Sequence, residues 1–348
     1  GSGPDPVARR ARIVLVINIA LAVFVVAFTL FFMIRSERGA GFLLEIPKSI
    51  VAPWSPGGGY SSATRDRHKI LIAMLAIGLA VAGRLLAKSS AHQKPITAAL
   101  AMLVVVSFHV ESQKDLANLL RGREFQYWNT YHYYLGSKYF DELKYVWLYT
   151  YTLRADEELG ENKTADAKRV MDLIELEEVP RERVLAQSEG RSDFTPERWE
   201  AFKRDIRFFN KWISPYNWTR VLRDHGYNAT PTWNTFGSAI SNTFGLQNRW
   251  SRVVVLSLDL LMLIATFAAV GWAFGTRPAL LMSIFFLLFF GNEYFTVGGF
   301  IRYDWYCATV IAFVLYHKGY WRASAPFLAF AAMTRIFPAF LLLGPGVQ

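Results

Sequence analysis

One cysteine, Cys307, and six histidines are all that 348 residues offer to thiolate or imidazole chemistry. The lone thiol sits in an apolar run and reads as a packing residue, so a disulfide within the chain, a CxxC redox pair and a thiolate metal site are excluded. Histidines 68, 92, 109, 132, 225 and 317 include no pair at helical spacing within an apolar run, which argues against a bis-histidine haem. The chain also lacks a GxSxG elbow, a P-loop, an HExxH pair and a GxGxxG turn followed by an acid, so common hydrolase and nucleotide folds are excluded. Charge is sparse as well. Only 19% of residues are charged against 53% hydrophobic, and the mean hydropathy of +0.19 is too apolar for a water-soluble globular protein of this size.

What is present points to a membrane. Aromatic residues make up 16% of the chain, a richness suited to the headgroup level of a bilayer or to an interfacial cleft. The formal charge of +10 is unevenly spread: residues 111–250 carry 20 basic and 21 acidic side chains, the remainder 18 and 7. A basic surplus confined to the flanks of apolar runs is what the positive-inside rule produces, and no nucleic-acid motif competes with it.

Ile13–Ile34 is free of charge and long enough to cross a hydrocarbon core of about 30 Å. Arg9, Arg10 and Arg12 before it put the N-terminus in the cytoplasm, and no small-residue cleavage site follows, so the run reads as an anchored helix. Residues 35–68 read as a loop broken by prolines and glycines. Further spans are expected at Ile70–Ala87, Pro95–Val110, Val253–Phe274, Ala279–Phe290, Trp305–Tyr316 and Ala323–Leu343, seven in all. Residues 111–251 contain no credible span and describe an aqueous helical domain, which the alternation places outside. Helices are expected there at 166–179, from the spacing of Val170, Leu173, Ile174 and Leu176, and at 195–213, where Thr195 and Pro196 form a good start. The expected fold is therefore mostly α, multi-pass, with an N-terminal membrane region 1–110, an extracytoplasmic domain 111–251 and a C-terminal membrane region 252–348. Residue 1 is Gly and the chain stops just after an apolar helix, so a processed, trimmed or incomplete polypeptide is expected.

Four clusters could carry chemistry. His109, Glu111 and Asp115 stand where the third span meets water; the two acids are four apart and share one face if the helix continues. A carboxylate there suits a base meeting an aqueous acceptor, or merely ends a helix. The run 128–149 crowds Trp128, Tyr131, Tyr133, Tyr134, Tyr139, Tyr145, Trp147 and Tyr149 around His132, Asp141 and Glu142, a composition that fits carbohydrate and fits an aromatic belt equally. GGFIRYDW at 298–305 brings two glycines, for close backbone approach, next to Arg302 and Asp304, a phosphate-binding fork or a bridge that fixes helix depth. Arg335 lies within an apolar run, where a guanidinium costs at least ~2.5 kcal/mol at mid-depth and demands a counter-charge instead of lipid.

The segments LDLLMLIATFAAVGWAFG, GGFIRYDW and AAMTRIFPAFLLL, together with HYYLGSKYFDEL at 132–143, resemble bacterial multi-pass glycosyltransferases of the GT-C type. The branch they are most similar to is grouped with mannosyltransferases that use polyprenol-phosphate mannose. That resemblance implies sugar transfer from a lipid-phosphate donor on the outer face of the cytoplasmic membrane, by an inverting fold that needs no bound nucleotide; no metal site is expected, and the lipid-phosphate sugar donor is the one cofactor-like group in view. The resemblance implies an acidic base in the first large outward loop, here Glu111 or Asp115 with Asp141 and Glu142 in reserve; the clusters above supply His132, Tyr133, Asp141, Arg302, Asp304 and Arg335 as the expected substrate contacts. Implied partners are membrane lipids and a polyprenyl-phosphate sugar, and no nucleic acid. Two departures, only seven spans and an acidic loop after the third of them, point to a shortened or inactive member. They keep open a second reading, a non-catalytic subunit packed against other membrane subunits.

Overall fold

The structure, a computed structural model, describes residues 62–86, 90–112, 116–190, 193–289 and 297–343. It is mostly helical, at 73%. The chain divides into two compact units, residues 1–111 with 283–290 and residues 112–282 with 291–348.

In the first unit, α1 (Ser62–Leu85) and α2 (Ser90–Ser112) are apolar helices. Gln93 donates its amide to the carbonyl of Leu86 at 2.7 Å and so ties the start of α2 to the end of α1. At the other ends Lys69 and Glu111 meet at 2.9 Å, both buried. Helix α1 begins at Ser62, so the last part of the expected loop 35–68 is helical.

The second unit holds an aromatic core. Tyr131, Tyr134, Tyr139, Tyr149, Phe202, Phe209 and Trp218 are all fully enclosed. Around this core run α3 (Leu148–Glu158), a two-stranded hairpin of β1 (Arg169–Asp172) and β2 (Glu177–Pro180), α4 (Pro196–Trp212), α5 (Pro215–Val221) and α6 (Pro231–Thr243). Helices α4, α5 and α6 share one sequence device. Each starts with a hydroxyl residue followed by proline, and Thr195, Ser214 and Thr230 accept the backbone N–H of Arg198, Asn217 and Trp233. Proline at the first helical position gives up an N–H that has no partner there, while the hydroxyl satisfies another. Helix α7 (Arg249–Phe274) opens on Asn248, whose side chain accepts from Trp250 and Ser251. It is followed by α8 (Thr276–Leu288), α9 (Asp304–His317), α10 (Trp321–Thr334) and the short α11 (Ile336–Ala339).

Three expectations change. The helix at 166–179 is instead the β1–β2 hairpin, with Val170 opposite Val179. Asp172 turns the chain by accepting the N–H of Ile174, Leu176 adopts φ +58°, and β-branched residues suit the paired strands. Ile174 and Leu176, assigned to an apolar helix face, are exposed. The second change concerns the spans. Ile13–Ile34 lies outside the described residues, and among those described three helices are long and apolar enough to cross a membrane: Arg65–Leu85, Gln93–Glu111 and Arg249–Phe274. These make the chain a membrane-associated one, but seven spans are not borne out. Helices α8 and α9, of 13 and 14 residues, rise only about 20 Å at 1.5 Å per residue, short of a hydrocarbon core. Third, the run 323–343 is not one helix. It breaks at Arg335, which has extended backbone (φ −144°, ψ 140°) between α10 and α11.

Candidate functional site: an aromatic and cationic cavity

Residues 127–138 form an α-turn (Tyr127–Thr130), a π-helical turn (Tyr131–Leu135) and another α-turn (Gly136–Lys138). A π-turn inserts an extra residue per turn and re-aims the side chains around it, a feature common at functional sites. Tyr131, Tyr134 and Leu135 are buried in the core, while Trp128, Asn129, His132 and Tyr133 line a cavity of about 640 Å³. The other walls come from Gln126 and Tyr127, from Arg220 and Asp224 at the end of α5, from Gly226 and Asn228, and from Arg302. Thus two guanidinium groups, one carboxylate, three side-chain amides and the rings of Tyr127, Trp128 and Tyr133 meet at one hollow.

The polar groups are held from behind. Trp128 donates its indole N–H to Asp224, and Asp224 also accepts the backbone N–H of His225 at 2.8 Å. The guanidinium of Arg220 lies 5.7 Å from the Trp128 ring centre, a cation–π contact. Tyr133 donates to Asn228 at 2.6 Å. His132 is buried, with Nδ1 2.8 Å from the Trp128 carbonyl oxygen and Nε2 2.8 Å from the Tyr149 hydroxyl. A carbonyl only accepts, so Nδ1 carries a proton. Burial pushes the His132 imidazole down to about 4, against the opposing pull of the Asp224 charge. For Asp224, burial pushes upward, but the Trp128 N–H, His132 and the N–H of His225 outweigh it and hold the carboxyl below its ordinary range. At neutral pH the cavity therefore presents a carboxylate and an uncharged imidazole.

Arg302 arrives on a constrained turn. Gly298 has φ +82°, and a Cβ there would stand 2.6 Å from the Glu124 carbonyl oxygen, so only glycine fits. Ile301 has φ +51°, a β-branched residue in the left-handed region, which costs of order 1–3 kcal/mol and persists only where its surroundings enforce it. Those surroundings are specific: Asn129 accepts the N–H of Phe300 at 2.7 Å, Trp233 donates to the Ile301 carbonyl at 3.3 Å, and Asp259 accepts the N–H of Arg302 and of Tyr303 at 2.6 and 3.0 Å.

The expected site residues separate. His132, Tyr133 and Arg302 are brought together at the cavity. Asp141 lies on another hollow, of about 290 Å³, beside Lys138 and Arg198. Asp304 is buried at the start of α9 and its Oδ2 accepts no hydrogen bond; Arg335 is half-buried, reaches the Thr334 carbonyl at 3.4 Å and lies within electrostatic range of Asp304. Neither lines the cavity. Glu111 belongs to the first unit and is engaged by Lys69, and Asp115 lies outside the described residues. Of the aromatic run, most rings belong to the core rather than to a belt. Arg220, Asp224, Asn129, Asn228 and Asp259 escaped the sequence reading. A lone acid in the apolar run of α7 was a readable signal for Asp259, whereas Arg220 and Asp224 sit in an ordinary polar stretch that only the fold brings beside Trp128. Comparison of the chain with protein-family models, with curated proteins and with solved structures returns no match.

Proposed function

We propose that this chain is an integral membrane glycosyltransferase-like protein that transfers a sugar from a lipid-phosphate donor at the outer face of the cytoplasmic membrane. The observation that carries the reading is the cavity, where Arg220 and Arg302 offer planar donors to a phosphate and the rings of Trp128 and Tyr133 offer faces to a sugar. In such a transfer a base takes the proton of the acceptor hydroxyl as its oxygen bonds to the anomeric carbon. The bond from that carbon to the phosphate oxygen breaks, and the lipid phosphate leaves with the electron pair. The guanidinium groups stabilise the charge that develops on the departing phosphate. Glu111 and Asp115 stand as base candidates, and Asp224 joins them because its carboxylate is on the cavity wall.

The test is transfer of labelled sugar from a polyprenyl-phosphate donor by the protein in liposomes. Arg302→Ala is expected to lower the rate at least 100-fold, and no turnover with any lipid-phosphate sugar by the wild-type protein would end the proposal. Comparing Glu111→Gln with Asp224→Asn then identifies the base. One observation favours a second reading, a non-catalytic subunit of a larger membrane complex: Glu111 is buried in an ion pair with Lys69, the environment of a structural charge. On that reading Glu111→Gln alters assembly and no sugar is transferred.

A further inference from the structure

Asp259 lies within α7, the longest apolar helix among the described residues, and is fully buried. An acid in such a helix is expensive, and a hydrophobic residue would serve packing better. Its Oδ1 accepts two consecutive backbone N–H groups, those of Arg302 and Tyr303, and its Oδ2 accepts no hydrogen bond. These N–H groups lie just before α9, which begins at Asp304, and Tyr303 at its cap position makes no side-chain cap bond. The acid of α7 thus fixes the backbone that leads into α9. It does so immediately after Ile301, whose φ of +51° must be imposed from outside, and at a residue that lines the cavity.

We infer that Asp259 is a positioning residue for Arg302: its carboxylate tethers the strained 300–303 turn so that the guanidinium is delivered to the cavity wall. Asn129 holds the same turn from the other side, through the N–H of Phe300, and is itself a cavity residue. The turn is therefore clamped between the cavity wall and the apolar helix. Without the Asp259 acceptor, the peptide groups on either side of Arg302 rotate toward an ordinary backbone, and the side chain swings away. The consequence for binding rests on the phosphate reading given above, whereas the tether itself does not.

A double-mutant cycle separates positioning from general support of the fold. The full chain in detergent micelles is titrated with decyl phosphate by calorimetry. Asp259→Ala should weaken binding about 10-fold when Arg302 is present and less than 2-fold in an Arg302→Ala background. Asp259→Asn, which keeps an oxygen at the same reach, should stay within about 3-fold of wild type. Equal weakening in both backgrounds, or no weakening at all, overturns the inference. If Asp259→Ala does not fold, Asp259→Glu, which shifts the carboxylate by one methylene, enters the same cycle with the same expectations. Hydrogen exchange over residues 298–304 gives a readout independent of any ligand. Asp259→Ala or Asp259→Glu should lose protection there while Asp259→Asn keeps it, and unchanged protection in every variant overturns the tether. If the wild-type protein does not bind decyl phosphate, the phosphate reading of the cavity fails and hydrogen exchange alone decides the tether.

Discussion

Two buried acids, one in each unit, are satisfied in different ways. In the first, Lys69 and Glu111 face each other at 2.9 Å with almost no exposure, so each ion is neutralised by a direct partner. In the second, Asp259 is equally deep, yet its carboxylate accepts two backbone N–H groups in place of an ammonium, while Asp205 of the same unit pairs directly with Lys138 at 2.7 Å. A closed ion pair holds structure together and offers little to a ligand. An acid that orients the backbone of a cavity-lining residue such as Arg302 is arranged for binding.

Four experiments test that contrast. The largest effect is expected at the closed pair. Lys69→Ala leaves Glu111 buried without its ammonium and should cost about 3–5 kcal/mol in denaturant unfolding, while the double change to Met and Leu should be nearly neutral. A loss below 1 kcal/mol from the single change would mean that the pair is not structural.

The second unit should lose stability in acid. His132 titrates near 4 when folded and near 6.5 when unfolded, so the folded state binds fewer protons between these values. The stability that neutral His132 contributes is fully present above pH 6.5 and is lost as pH falls through 4, about 3 kcal/mol in all. The depressed Asp224 carboxyl adds in the same direction at lower pH. Unfolding free energy measured from pH 7 to pH 4 should fall accordingly, and His132→Gln should flatten the slope.

At position 301 the usual order of small residues should reverse. Alanine normally exceeds glycine by about 0.5–1 kcal/mol within regular structure, but a positive φ favours glycine. Ile301→Gly and Ile301→Ala both lose the buried side chain, and the glycine variant should be the more stable by about 1 kcal/mol in thermal unfolding. The opposite order would show that the turn is not strained. The smallest effect belongs to Arg302: its replacement by alanine should shift stability by less than about 1 kcal/mol, the range of surface substitutions, even where binding collapses. A large loss of stability there would erase the contrast with Lys69.

Much of the local structure was readable. Thr195 followed by Pro196 announced the start of α4, and the same chemistry at Ser214 and Thr230 starts two more helices. The apolar runs of α1, α2 and α7 announced helices long enough for a bilayer. Reading failed where two periods compete: Val170, Leu173, Ile174 and Leu176 fit a helix on paper, but the Asp172 turn and cross-strand pairing of Val170 with Val179 win. It also failed at the last apolar run, because hydropathy is an average and does not register the single extended residue at Arg335.

That this protein is helical and apolar, where several helices begin, and that GGFIRYDW allows close backbone approach are legible along the chain. These are properties of neighbours along the chain, set by backbone freedom, capping and hydrophobicity. Folding alone brings Arg220 and Asp224 to one cavity with His132 and Arg302, closes Glu111 off with Lys69, and sets Asp259 against the backbone that leads into α9. Each of these depends on groups far apart in the chain, and whether a charge becomes a strut or a binding group is settled by what is folded against it.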